Sequence, residues 1–359
     1  MKSKYLFLFL IIALSVWIKS VNLNNRYTFD WDQADAAAKV MNMVWDKKPT
    51  LLGPRVSTEN GFFTGPYYYY FLLPFYFVAD GHPLAGAIAA IFVGAISTIL
   101  TFFVAERFYG RKIGYLAALI AASSISITSW NAMLITPLSL IGFYLCHKLL
   151  KSNRLFIPAT LFASLASSIH LVVAPMIACL ITAKMLSKKR LPFRILILGI
   201  LSLFVFFLPT VVFDIRHQFL NFNKLLEFAG GRMTSETYPA WLFLRSFWRS
   251  LVISGYGVEK FIILIAFGYG IYKQKDNQSR ILTTVWIFLP ILLLSLYKGN
   301  IPEYYYGMII SLVPLFLAKF LADLFSFWLI VPLIGLLVYS QVQLVFHDRA
   351  MIPLNDKIN

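Results

Sequence analysis

The sequence predicts an all-α, polytopic membrane protein, and three observations predict it. Hydrophobic residues make up 59% of the 359 positions and include 33 Phe, more than one water-soluble core buries. The apolar residues fall in runs at 5–18, 84–105, 113–130, 195–213, 281–297 and 324–346, near or at the roughly 20 residues that span a bilayer. These runs are continuous and not alternating, so helices follow and barrel strands do not.

From the N-terminus, Lys2 and Lys4 precede the run 5–18. No small-x-small cleavage pattern follows before Lys19, so this run reads as an uncleaved first helix. With those lysines inside, residues 22–65 lie outside. Residues 33–45, QADAAAKVMNMVW, set Ala37, Val40, Met41 and Val44 on one face at helical spacing, an amphipathic helix for the membrane surface. Asp32 falls at its N-cap and Asp35 three residues on, a capping arrangement with Asp in place of Glu.

Residues 66–79, GPYYYYFLLPFYFV, are short and contain Pro74. Were they to cross, the basic loops at 106–112, 148–154 and 187–190 would all face outside, inverting the positive-inside rule three times. A re-entrant or juxtamembrane helix here instead places these loops, and KQKDNQSR at 273–280, inside. That side then carries 17 of the 32 Lys and Arg against three acids, Glu106, Asp276 and Asp323. About eleven crossings result from this topology. The chain reads as one domain, 1–359, with a first outer loop at 22–83 carrying juxtamembrane helices and a second at 214–250.

The net charge of +16 is thus a topological signal and not a nucleic-acid surface, because no basic aromatic patch accompanies it. Neither GxGxxG nor GxxxxGK[ST] occurs, so nucleotide chemistry on the inner side is not expected. Cys146 and Cys179 lie inside apolar runs and make neither a disulfide framework nor a zinc spacing.

The outer face holds the chemistry-bearing residues. FDWDQAD at 29–35 gathers Asp30, Asp32 and Asp35 in a chain only 13% charged. Besides capping, an ionised carboxylate on a rigid helix start suits a general base for an acceptor hydroxyl, and capping would lower its pKa. Outer cations suit a donor phosphate, Arg216 and His217 in FDIRH first and Arg232 in AGGRM next. The plain alternatives are an interfacial anchor, with Arg216 salt-bridged to Asp214, and a solvated loop residue. His170, at the outer mouth of a helix, suits a sugar or phosphate contact or simple packing. Glu59 and Glu303 are further carboxylates facing the same side, and Tyr304 to Tyr306 fit an aromatic belt.

Taken together, FDWDQADAA, LLGPRVSTENGFFTGPYYYYFLLPFY, ERFYGRKIGYLAALIAA, FDIRHQFLN and PEYYYGMIISLVPLF, in that order, resemble the GT-C superfamily of membrane glycosyltransferases. Within it the nearest group is the protein mannosyltransferase and aminoarabinose transferase type, called family 39. The resemblance runs from about residue 25 to 320 and rests on motif order. It implies inverting transfer of a sugar from a polyprenyl-phosphate donor to a lipid, glycan or protein of the cell envelope, at the outer face of the plasma membrane. Asp32 matches the family's loop-one aspartate, the expected base, with Asp35 or Asp30 assisting. Gly65 to Tyr70, Tyr68 included, match the helix lining the acceptor side.

Two departures accompany the match. Asn131 stands where some relatives carry a second acid, and Thr64 stands where many carry His. No cofactor follows with certainty: the three aspartates could hold a divalent cation through oxygen ligands, though such a site needs more ligands than this short segment offers, and metal dependence stays open. The competing reading is a transporter or lipid flippase without transferase activity. Against it, mid-helix positions are almost uncharged, whereas a conduit places ionisable residues along its path.

Overall fold

The computed structural model describes residues 2–56, 61–229, 241–251, 259–297 and 301–347. In chain order the helices are α1 (Lys2–Ser20), α2 (Leu23–Arg26), α3 (Trp31–Trp45), α4 (Tyr67–Val78), α5 (Leu84–Tyr109), α6 (Arg111–Ala122), α7 (Ile135–Leu149), α8 (Phe156–Ile169) and α9 (Pro175–Leu186). There follow α10 (Phe193–Ser202), α11 (Leu208–Arg216), α12 (Leu220–Ala229), α13 (Trp241–Ser250), α14 (Glu259–Tyr272), α15 (Asn277–Ser295), the single turn α16 (Gly307–Ile310), α17 (Val313–Leu324) and α18 (Phe327–His347). No strand forms among the described residues, and an isolated β-bridge pairs Arg55 with Phe63. The all-α expectation holds. Within the expected outer loop 214–250, α12 and α13 are helical.

Among the described residues, four helical stretches are long and apolar enough to cross a membrane: Leu84–Tyr109, Asn131–Leu149, Phe193–Arg216 and Asn277–Ser295. Glu303–Ile310 and Val313–Leu324, bent by 52° at their junction, make a fifth if they act as one span. Fewer than the expected eleven crossings are therefore carried by unbroken full-length helices. The run 113–130 shows why. Its helix, α6, stops at Ala122, and serines with β-branched residues, poor helix formers, continue as irregular chain. Buried Lys19 and Arg26 take over as donors there, to the carbonyls of Ser124 (2.6 Å) and Ile125 (2.5 Å).

Large apolar side chains of α10, α11 and the turn between them, Leu198, Leu201, Phe204, Leu208 and Ile215 among them, stay exposed, as do Phe288 and Leu292 of α15. In water such a surface would be an aggregation liability, and in a bilayer it is the face lipid covers. This is an integral membrane protein. The interior is packed by aromatic residues: Phe143 meets Trp286 edge-on at 5.5 Å and Phe316 at 6.4 Å, and the Trp286 indole N–H donates to the Met308 carbonyl at 3.2 Å.

At twelve residues α4 is about 18 Å long, short of the roughly 30 Å hydrocarbon core. It packs between α3, α5 and α8. Its Tyr68 hydroxyl donates to the Ser129 carbonyl at 2.9 Å, while the Tyr27 hydroxyl and Ser129 Oγ share a hydrogen bond of 2.5 Å. These groups meet over Gly86 of α5, where a Cβ would lie 2.5 Å from the Tyr27 hydroxyl and 2.8 Å from Ser129 Oγ. The expected apolar face of α3 is present, but protein covers it: Ala37, Val40 and Met41 are buried and α3 packs on α4. The aspartate segment thereby gains a protein scaffold beneath it.

Candidate active site

The helix bearing the aspartates begins two residues earlier than its apolar spacing suggests. Asp30 is the N-cap of α3, its carboxylate accepting from the backbone of Gln33, whose Oε1 accepts the Asp30 N–H at 3.1 Å. The capping box is thus Asp30 with Gln33, and the expected pair of Asp32 with Asp35 is corrected. Asp32 lies in the first turn, free of the capping duty. Its pKa is raised, not lowered: desolvation is the largest cause, and the charges of Asp30 and Asp35 add to it.

Asp32 and Asp35 open into a cavity of about 1310 Å³. That exceeds the roughly 300–1,000 Å³ of a typical small-ligand site and leaves room for two reactants. Its charged lining among the described residues consists of these two acids with Lys39 and Arg55. Tyr68 lines it too, as do Tyr69, whose hydroxyl lies 3.5 Å from Asp35 Oδ2, Asn131 and His170. Opposite stands an aromatic wall in which Trp130 and Tyr304 are 5.1 Å apart and Tyr304 meets Tyr305 edge-on at the same spacing.

His170 follows α8 and sits edge-on to Tyr304 at 5.8 Å. Burial pulls its pKa down to about 4, so the imidazole is neutral at pH 7. Its Nδ1 accepts the Val172 N–H at 3.3 Å, which leaves the proton on Nε2 as a donor. Asn131 does not imitate the missing acid: its amide donates to the Ile169 carbonyl at 3.1 Å and tethers the start of α7 to the end of α8.

Other expected residues are not brought together here. Arg216 and His217 are exposed at the end of α11 and outside the cavity lining, and the His217 ring stacks on Phe213 at 4.0 Å. Asp30 and Glu303 also lie outside the lining. Glu59 and Arg232 fall outside the described residues. The three aspartates do not converge, and among the described residues no group of three or more His, Cys, Asp or Glu side chains is placed to hold a metal ion.

The motif FDIRHQFLN has a different use from the one expected. Asp214 is buried, and its Oδ1 accepts the N–H groups of Asn221 (2.8 Å) and Phe222 (3.2 Å), capping α12 instead of pairing with Arg216. The chain between turns through two left-handed residues, Gln218 and Phe219. That turn aims Asn221 at the cavity rim, where its Oδ1 accepts the Phe63 N–H (2.6 Å) and its Nδ2 donates to the Phe63 carbonyl (3.2 Å). The rim itself is pinned by main chain: Gly53 N–H to Thr64 O, Thr64 N–H to Pro54 O, Val56 N–H to Phe62 O and Gly65 N–H to Ser168 O.

No protein-family model and no curated protein matches the chain, but solved structures do. ArnT from Cupriavidus metallidurans bound to undecaprenyl phosphate superposes at a TM-score of 0.64 and 13% identity, over 89% of this chain and 60% of that one. The archaeal oligosaccharyltransferase AglB from Archaeoglobus fulgidus, in complex with an inhibitory peptide and a dolichol-phosphate, gives 0.55 and 13%, over 95% of this chain and 55% of that one. The chain has the GT-C fold. It spans little more than half the length of these two GT-C structures.

Within the GT-C frame, Lys39, Arg55 and Asn221 are the site residues that sequence reasoning missed. Asn221→Ala is expected to cost about 1–3 kcal/mol in detergent unfolding, since it strands both polar groups of Phe63. Asn221→Asp restores the acceptor only and is expected to fall between, which thermal unfolding of the three proteins checks.

Proposed function

We propose that the protein transfers a sugar from a polyprenyl-phosphate donor to an acceptor hydroxyl or amine, with inversion at the anomeric carbon. The observation that carries this reading is the single cavity that joins Asp32, its pKa raised by partial burial and two neighbouring acids, to two cations, Arg55 and Lys39, and an aromatic wall. The fold shared with a structure holding undecaprenyl phosphate and one holding a dolichol-phosphate supports the donor class.

In the proposed reaction the acceptor oxygen or nitrogen attacks the anomeric carbon as the bond to the phosphate oxygen breaks. The proton passes to Asp32, and the lipid phosphate leaves with the electron pair and an added negative charge. Arg55 and Lys39 stabilise that charge, Arg55 through its planar fork. Neutral His170 donates through Nε2 to a sugar or phosphate oxygen, and the faces of Trp130 and Tyr304 hold the sugar ring. Asp35 positions the base, and Tyr68 and Tyr69 form the acceptor side. The cavity faces the outer side of the plasma membrane in this reading, and the acceptor is an envelope lipid, glycan or protein.

The test is transfer from radiolabelled polyprenyl-phosphate sugars by the purified protein in lipid. Arg55→Ala is expected to weaken donor use about 10–100-fold, the worth of a lost charge-assisted contact, whereas Arg216→Ala stays within twofold. The reverse ranking would return the phosphate to the end of α11. Lipid movement without any transfer would favour a flippase.

A further inference from the structure

Behind the aromatic wall lies a second cavity of about 530 Å³, and the two share Trp130 and Tyr304 as lining. Its chemistry differs from that of the first. Eight Ser and Thr residues and Gln341 line it, and Lys19 is its sole charged lining residue among those described. Hydroxyls of Ser97, Thr101, Ser123 and Ser311 donate to carbonyls of their own helices or turns, which leaves their oxygens acceptor capacity only. Ser126, Thr128 and Thr136 make no such bond among the described residues. Apolar side chains, Val93, Ile120, Ile125, Met133 and Ile310 among them, share the lining. A mixed wall of this kind suits a sugar, whose O–H groups donate and accept and whose C–H faces pack on apolar surface.

Lys19 supplies the charge. It is 4% exposed, and its Nζ donates to Ser124 O at 2.6 Å and Ser15 Oγ at 3.3 Å, which occupies two of its three N–H groups. No carboxylate pairs with it among the described residues. Its stem crosses α5 at Gly94, where a Cβ would come within 2.6 Å of Lys19 Cε. A buried ammonium held by neutral oxygens alone is incompletely compensated, and an anion in the cavity would complete it. The volume, inside the range of about 300–1,000 Å³ for small-ligand sites, takes a sugar unit.

We infer that this cavity is a subsite for a monosaccharide unit bearing one anionic group, carboxylate or phosphate, held by Lys19 against the hydroxyl wall. The inference stands on this cavity and is independent of the transfer reaction proposed for the first.

The test uses the full chain in detergent micelles and measures binding of glucuronate, glucose 6-phosphate, glucose and inorganic phosphate by calorimetry or ligand-observed NMR. At least one anionic sugar is expected to bind tenfold or more tighter than both glucose and inorganic phosphate. Lys19→Met is expected to bring it down to the level of glucose, and Arg55→Ala, which alters the first cavity, to leave it unchanged. If Lys19→Met does not fold, the near-isosteric pair Thr128→Val with Thr136→Val carries the test and is expected to weaken that sugar several-fold. Loss in Arg55→Ala with retention in Lys19→Met or in the threonine pair overturns the inference, as does anionic sugar binding no tighter than glucose or inorganic phosphate. Absence of transferase activity leaves these readings unaffected, so the two proposals fail separately.

Discussion

Asp32→Asn is expected to lower transfer about 10²–10⁴-fold, the usual contribution of a positioned general base, while the protein remains folded. The amide keeps the shape of the side chain and cannot take a proton. Donor binding should persist, since Lys39 and Arg55 are untouched, and the loss should fall on kcat. The pH profile gives a sharper reading. Asp32 must be ionised to act, and its raised pKa places the acid limb of kcat/KM above the ordinary carboxylate value of 3.8. Asp30 contributes to that rise by repulsion, so Asp30→Asn lowers the Asp32 pKa and moves the acid limb to lower pH. Asn is as good an N-cap as Asp, so α3 survives this substitution and the shift reports charge alone. An acid limb that moves to higher pH, or full transfer by Asp32→Asn, would remove Asp32 from the role of base.

The largest expected loss of stability comes from Gly53→Ala. A Cβ there would lie 2.0 Å from the Gly65 carbonyl oxygen and 2.8 Å from its carbon, both main-chain atoms that a rotamer change cannot move aside. Gly53 and Gly65 belong to the paired rim, and Gly65 is itself bonded to the Ser168 carbonyl at 2.7 Å, so relief requires opening the rim or shifting it off α8. A cost of about 3 kcal/mol or more follows, at the top of the range for overpacking. Gly268→Ala is the control: a Cβ there meets nothing within 4 Å, and replacing a glycine inside α14 stabilises by about 0.5–1 kcal/mol. Unfolding midpoints of the two variants in the same detergent should therefore move in opposite directions.

The membrane class was legible because it is compositional, written in long apolar runs; FDWDQAD drew attention in the same way, as clustered acids where charge is scarce, and its Asp32 and Asp35 line the large cavity. The cap was misplaced because Asp30 and Asp32 both satisfy the N-cap preference, and Gln33 settles the matter by standing three residues after Asp30. Lys39 and Arg55 escaped notice since an isolated cation in a polar segment looks the same whether it meets solvent or a cavity. Tyr304 and Tyr305 fit an aromatic belt equally well, and packing against Trp130 and His170 is what sets them at the cavity. Arg216 drew attention through charge, whereas the neighbouring Asp214 and the uncharged Asn221 organise the rim. That role depends on a left-handed turn at Gln218 and Phe219, residue types that do not announce one.

The rim pairs main chain with main chain, and with a single side-chain amide from Asn221. Two of its own side chains add to this: Thr64 Oγ1 donates across it to the Pro54 carbonyl at 3.0 Å, and buried Phe62 meets Phe228 edge-on at 5.2 Å. Val56 differs, since its N–H to the Phe62 carbonyl is a main-chain bond, and a protein engineer can exchange its side chain while that bond stays in place. At that position selectivity is a replaceable fitting on a fixed mount, and a library at Val56, which lines the cavity, is where altered preference should first be sought.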